Sequence, residues 1–146
     1  MKLPTPTIDN LVTQGNHYIL TQVGDRQVAF STSDVTGILL TERSQVLSLP
    51  FYDDVVLGIV HHQGQFVPLM MLSRLLDGKP GQMREVFNAI QLSESSGTPG
   101  LGLIIDQLLG HCSEEAFAAD DAIEHFQPQM LDPDLWQPQR RTALSP

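Results

Sequence analysis

The chain has 146 residues and carries 17 acidic against 8 basic side chains, so its formal net charge is −9 at neutral pH. An acidic chain repels phosphate backbones, which argues against a nucleic-acid partner, and a single cysteine excludes an intramolecular disulfide framework or a multi-cysteine zinc site. The longest apolar runs, 55–60 and 67–72, are far shorter than the roughly 18 apolar residues of a membrane span, so we expect one cytoplasmic domain with its own core.

The predicted elements begin with a β-hairpin. Residues 1–14 carry two prolines and little periodicity, so we expect a mobile arm with no signal peptide. His17–Val23 and Arg26–Thr32 are rich in β-branched and aromatic residues, and the Gly24-Asp25 pair between them is typical of a hairpin turn. Asp34–Thr41 then predicts a short helical turn that leads into a strand.

A second hairpin follows in the middle of the chain. Val55–His62 and Gln65–Leu72 are strand-like and are separated by Gln63-Gly64. Both faces of the second run are apolar, so this strand should lie deep in the fold. Pro68 lacks an N–H group and must therefore lie at an edge or a bulge.

A short helix and two further strands are expected next. Ser73–Leu76 predicts one helical turn that is capped by Ser73 and ended by Asp77-Gly78. Glu85–Leu92 and Leu101–Asp106 alternate as strands do, with a polar hairpin loop between them.

The C-terminal part has a different character. Residues 113–134 hold seven acidic side chains and no Lys or Arg. Within them, apolar residues recur at helical spacing after a possible Ser113 cap, at Ala116, Ala119, Ile123 and Phe126. Residues 132–146 contain three prolines, so this tail should fray. The many short strands as a whole predict an all-β barrel or sandwich.

No group of residues suggests catalysis or metal binding. His61 and His62 would point to opposite faces of a strand and could not share a metal. His111 and Cys112 are adjacent, whereas a catalytic thiol and imidazole usually meet through the fold. The paired carboxylates lie in polar stretches, where solvated surfaces are favoured. We therefore expect no catalytic residue, no metal and no cofactor, and a function in binding other proteins.

One stretch resembles a known family. Val56–Leu76 reads Val-Leu-Gly-Ile-Val-His-His-Gln-Gly-Gln-Phe-Val-Pro-Leu-Met-Met-Leu-Ser-Arg-Leu-Leu. It resembles the signature of CheW-like domains, in which Gly-Val-x-Asn-Leu-Arg-Gly-x-x-Val-Pro-Val-x-Asp-Leu-Arg links two strands to a short helix. Three further stretches are similar to the family in its order: the hairpin Tyr18–Phe30, Asp34-Val35 with Ile38, and the strand Gly102–Leu109.

The resemblance implies a fold and a role. The fold would be all-β, with two small five-stranded SH3-like barrels packed together, short helices and an atypical C-terminal segment, over residues 15–131. The protein would be a non-catalytic adaptor that couples a CheA-type histidine kinase to the cytoplasmic tips of methyl-accepting chemoreceptors. The family's final hairpin is replaced here, so the second barrel would be incomplete or closed by four apolar residues, Phe126, Leu131, Leu135 and Trp136.

The resemblance also suggests which residues meet the partners. These are Val35, Ile38, Gly58, His62, Gln63 and Gly64. At Gly58 and Gly64, the absence of a side chain would let a partner's backbone approach closely. Gln63 stands where the family has Arg, which removes a charged contact, and Met71 stands where it has Asp. This divergence favours a pilus-motility or phototaxis system.

Two alternatives stay open. A CheW-like module could sequester kinase or receptor without bridging them. The chain could also be a small β-barrel ligand-binding protein or enzyme, which would need a deep pocket with convergent polar groups near His61 or His62.

Overall fold

The computed structural model describes residues 17–50, 52–79, 84–93 and 100–132. Within these ranges it contains nine strands, two short helices and three 3-10 turns. The strands are β1 (His17–Val23), β2 (Arg26–Ser31), β3 (Val35–Glu42), β4 (Val56–His62), β5 (Gln65–Met71), β6 (Val86–Leu92), β7 (Gly102–Ile105), β8 (Gln107–Ser113) and β9 (Ile123–Phe126). The helices are α1 (Leu72–Asp77) and α2 (Glu114–Ala118), and the 3-10 turns are Thr32–Asp34, Arg43–Gln45 and Pro128–Met130.

The strands form two sheets. One has the order β8-β1-β2-β9 and the other β3-β6-β7-β5-β4. The predicted all-β class with short helices is confirmed, although the first sheet has four strands in the described residues where the resemblance implies five. The expected arm 1–14, and Leu135 and Trp136, lie outside the described residues. No helix in the described ranges is long and apolar enough to span a membrane.

Both predicted hairpins are confirmed, because their turn residues adopt the backbone conformation that such turns require. β1 pairs antiparallel with β2, and Gly24 at the turn has φ 59°. β4 pairs antiparallel with β5, and Gln63 and Gly64 both have positive φ, at 50° and 79°. Two consecutive positive φ values are the signature of a type I′ turn, whose twist matches that of the strands.

Pro68 lies at a local edge, as its missing N–H requires. β5 is an inner strand of its sheet, but its pairing with β7 begins only at Leu69. On the other side, Pro68 is opposite Ile59 of β4. Ile59 directs its N–H and C=O groups away from Pro68, since both bond Leu47. Val67, Leu69 and Met70 of this strand are buried, as predicted, whereas Gln65 and Phe66 at its start are exposed, Phe66 at 69%.

The helical boundaries differ from the prediction in two places. α1 begins at Leu72, and Met71 stands at its N-cap in place of Ser73. The expected helix after Ser113 ends at Ala118, and residues 123–126 form β9, parallel to β2. The prediction was wrong here because tertiary packing outweighs the helical spacing: Phe126 is buried against Phe30, with ring centroids 4.9 Å apart.

Two apolar clusters organise the molecule. The larger one lies between the two sheets and includes residues of both, among them Ile19, Phe30, Met70, Ile90, Leu103 and Phe126. The smaller one collects side chains from every strand of the five-stranded sheet: Leu39, Leu57, Val60, Val67, Leu69, Phe87, Ala89 and Ile104. A sheet whose two edge strands pack into one cluster must curl, so this sheet is barrel-like. Along its β4 edge, Leu47 forms an isolated β-bridge with Ile59.

The two sheets are joined where β7 ends and β8 begins. Asp106 separates these strands, and its backbone N–H donates to the Gln22 carbonyl at 2.9 Å. Its carboxylate accepts a hydrogen bond from the Gly24 N–H. Nearby, the Arg26 guanidinium pairs with Asp77 at 2.8 Å and Glu124 at 2.6 Å, which ties β2 to both α1 and β9.

Gly58 is required by an internal contact. A Cβ at this position would lie 2.3 Å from the Leu47 carbonyl oxygen and 2.9 Å from Val46 Cγ1. Leu47 and Ile59 exchange two backbone hydrogen bonds, of 2.8 and 2.9 Å, which hold that carbonyl in place. The space beside Gly58 is therefore filled by this chain, whereas the family resemblance suggested a partner.

We predict that Gly58→Ala lowers the free energy of unfolding by about 1–3 kcal/mol, because the new methyl group must displace backbone atoms. Gly37→Ala is the matched control, since a Cβ there meets no atom within 4 Å. Urea denaturation followed by circular dichroism measures both variants. Equal stability of the two variants would contradict the close packing of Leu47 on Gly58.

Candidate partner-binding surface

The six residues predicted to bind partners differ in how far the structure exposes them. Val35 is 5% exposed and belongs to the core between the sheets, and Gly58 is buried. Both are buried in this structure, and their contact with a partner stays a prediction. Ile38, at 40% exposure, lies on edge strand β3. His62, Gln63 and Gly64 lie at the β4–β5 turn, where His62 is half-buried and the other two are exposed.

An apolar strip runs along the edge strand β3 and its neighbour β6. Ile38 and Leu40 are two residues apart and project from the same face, and Leu40 is 73% exposed. Val86, opposite Glu42 on β6, shares that face and is also exposed. We call Ile38, Leu40 and Val86 the β3 strip. Leu40 and Val86 were not predicted, because only the strand order shows that β3 is an edge.

The β4–β5 turn presents polar and aromatic groups. Gln63 is the single non-glycine residue with positive φ among the described residues. His61 and Phe66 are cross-strand partners whose rings make an edge contact, with centroids 5.4 Å apart. His62 pairs with Gln65 and projects from the opposite face. The two histidines therefore diverge, as the sequence predicted.

A cleft of about 390 Å³ opens beside this turn. Its lining residues are Thr36, Gln65, Gln91, Leu92 and Gly100, and we call it the barrel-mouth cleft. Among these described lining residues, Thr36, Gln65 and Gln91 offer hydrogen-bonding groups. Gln91 is 8% exposed and is the one polar residue among the inward-facing positions 87, 89 and 91 of β6.

The ionisable groups considered in the sequence analysis are partly buried or bonded to the backbone. Burial raises the pKa of the Cys112 thiol, which favours the unreactive protonated form. The carboxylates of Asp53 and Asp120 accept backbone N–H groups two residues ahead, from Val55 at 3.1 Å and Ala122 at 3.0 Å. In the part of the chain that the structure describes, no three His, Cys, Asp or Glu side chains are grouped to hold a metal ion.

A small aromatic cluster covers the outer side of β1. Tyr18 contacts Phe117 and His125, with ring centroids 4.4 and 5.3 Å away. Burial, followed by the negative charge of Glu114, raises the pKa of Tyr18. Partial burial raises the pKa of Asp34, and the nearby His125 opposes that shift. The cluster packs α2 and β9 against β1.

Comparison with known proteins agrees with this architecture. The model of the CheW-like domain family matches residues 17–125. Among solved structures, the chain is similar to the scaffolding protein TtCheW from Thermoanaerobacter tengcongensis, with a TM-score of 0.56 and 17% identity over 69% of this chain and 68% of that one. At this identity the likeness concerns the fold. No curated protein matches the chain.

We predict that Gln63→Asn raises the free energy of unfolding by about 0.5–1 kcal/mol, because Asn tolerates the left-handed conformation of this turn better than Gln does. Gln65→Asn, one residue past the turn in β5, should not stabilise the protein, since Asn is a poor strand residue. Chemical denaturation of both variants measures the difference. A destabilised Gln63→Asn variant would contradict a type I′ turn at this position.

Proposed function

The chain belongs to the CheW-like domain family, and on this premise we propose that it is a non-catalytic adaptor of a chemosensory signalling system. In this proposal it couples a CheA-type histidine kinase to the cytoplasmic tip of a methyl-accepting chemoreceptor, and it therefore works in the cytoplasm. Its departures from the family signature favour a pilus-motility or phototaxis system.

The observation that carries the proposal is the β3 strip. Ile38, Leu40 and Val86 place three exposed apolar side chains on one face of an edge strand and its neighbour. The strip is continuous with the core, because Ile38 is paired with the fully buried Ile90. Exposed apolar side chains that adjoin one another on a rigid sheet are typical of a protein-binding surface. We assign this strip to the kinase.

The β4–β5 turn supplies a second contact, which we assign to the signalling array, the assembly of kinase, adaptor and chemoreceptor. His62, Gln63 and Gly64 lie at its tip and are accessible. The amide of Gln63 is neutral, so it can hydrogen-bond a partner but cannot form the two-pronged ion pair of an Arg with a carboxylate. We therefore propose that this adaptor meets its partner through uncharged hydrogen bonds at the tip, and that Gln63→Arg would tighten binding only to a partner with a carboxylate there.

We predict that Leu40→Ser weakens binding of the kinase's regulatory domain about 5–30-fold, because an interface loses the burial of one large apolar side chain. Leu47→Ser is the matched control: Leu47 is also an exposed leucine, at 62%, but it adjoins β4 at the other edge of the sheet. Isothermal titration calorimetry gives both affinities. Equal affinities for the two variants would show that the kinase does not bind the β3 strip.

The bridging and sequestration hypotheses predict opposite changes in kinase activity when this protein is mixed with kinase and receptor. Sequestration is the alternative hypothesis. Because Gln63 lacks the charge of the family's Arg, one of the two partners could stay unbound. We predict that kinase autophosphorylation in the presence of receptor rises when this protein is added, at least several-fold above kinase and receptor alone. Activity that stays flat or falls, while either partner still binds, would assign the protein to sequestration.

A further inference from the structure

Strand β8 forms one edge of the four-stranded sheet. It pairs with β1 on one side, and no strand in the described ranges pairs with its other side. Every position of β8 is exposed except Cys112, which is half-buried, and Leu108 and Leu109 are 38% and 39% exposed. An edge strand presents a row of backbone N–H and C=O groups that can pair with another extended chain.

The core-facing side of the sheet is covered at β1 but not at β8. Ile19 and Thr21 of β1 lie two residues apart on the core-facing side, and both are buried. Their cross-strand partners in β8 are His111 and Leu108, which share that side but are exposed. An added strand with apolar side chains at alternate positions would extend the core over Leu108.

Strand β8 lacks the usual protection of an edge against strand pairing. Edge strands are commonly guarded by charged side chains or by proline, and β8 contains no Asp, Glu, Lys, Arg or Pro. The other edge, β9, carries Glu124, which pairs with Arg26 at 2.6 Å. Leu109 is the extra residue of a bulge, so the straight stretch of β8 is Gly110–Ser113 and the added strand would be short.

The charges at the two ends of β8 restrict what can pair with it. Asp106 precedes the strand, and Glu114 and Glu115 follow it at the start of α2. A second copy paired antiparallel about Gly110 would bring Asp106 opposite Glu114, and like charges directly opposite are destabilising. A segment with basic residues at its ends would instead meet a carboxylate at each end of β8.

The chain's own residues 133–146 match this pattern less well. They include Arg140 and Arg141, but their longest run without proline has only two apolar residues, which are adjacent. Adjacent residues of a strand point to opposite faces, so this run cannot place two apolar side chains on the core-facing side. The pattern is therefore better met by another polypeptide.

We propose that β8 binds an extended segment of a partner polypeptide by strand addition. The segment has apolar residues at alternate positions, which cover Leu108, and Lys or Arg at both ends, which meet Asp106 and Glu114. This edge and the β3 strip belong to different sheets. The proposal therefore does not depend on which protein binds the β3 strip.

The test uses the peptide acetyl-Lys-Val-Thr-Ile-Thr-Val-Lys-amide, titrated into the ¹⁵N-labelled full-length protein. We expect saturable changes in the amide signals of Gln107–Ser113 in two-dimensional NMR spectra. The β8 amides that do not bond β1 should exchange rapidly with solvent in the free protein and slowly in the complex. Leu109→Lys should weaken binding about tenfold, because it removes apolar area and repels the basic peptide.

Controls test each part of the proposal. Leu40→Lys, at the edge of the other sheet, should leave the affinity unchanged. A peptide with Glu in place of both Lys residues should bind at least several-fold more weakly, and one with Pro in place of Ile should not bind, since proline lacks the N–H group. Should Leu109→Lys fail to fold, His111→Lys at another exposed position of β8 replaces it and should weaken binding in the same direction.

Several outcomes would overturn the proposal. They are the absence of saturable changes in β8, changes confined to β3, equal affinity of wild type and both β8 variants, and equal binding of the acidic or the proline peptide. Slow exchange of all β8 amides in the free protein would assign the edge to another occupant. Analytical ultracentrifugation would then distinguish a second copy, which gives a dimer, from a segment of this chain, which leaves a monomer.

Discussion

The arrangement of the two sheets depends on the single residue between β7 and β8. β7 belongs to the five-stranded barrel and β8 to the four-stranded sheet, and Asp106 alone separates them. Because Asp106 bonds Gln22 through its backbone and Gly24 through its carboxylate, the first hairpin is held against the end of the barrel. The core between the sheets closes around this connection, so the two sheets form one unit.

This rigid arrangement divides the surface into regions of different chemistry. The four-stranded sheet carries the acid-rich segment, which begins at the Ser113 cap, and β9 is anchored there by Phe126 and by the pair of Glu124 with Arg26. The barrel instead presents the apolar β3 strip. An apolar surface of this kind lacks the charge repulsion that an acidic surface imposes on acidic proteins.

Prediction from the sequence succeeded for features that residues adjacent in the chain specify. The pairs Gly24-Asp25 and Gln63-Gly64 specify their hairpins, because few residues accept the backbone conformation of such turns. Ser113 caps α2 as expected, since its hydroxyl group accepts the Ala116 N–H. The same local reasoning failed at residues 123–126. Their helical spacing was outweighed by pairing with β2, a strand almost a hundred residues earlier in the chain.

The sequence by itself determined most of the strands, the two hairpin turns, the all-β class and the family, because these depend on alternation and on turn residues close together in the chain. Only the tertiary structure decided which residues are accessible. Val35 and Gly58 belong to family-like stretches but are buried, while Leu40 and Val86 form an exposed strip at a sheet edge. The physical reason is that burial depends on which distant segments cover a side chain. The position of Gln91 between Gly37 and Gly102 likewise follows from the pairing of three strands.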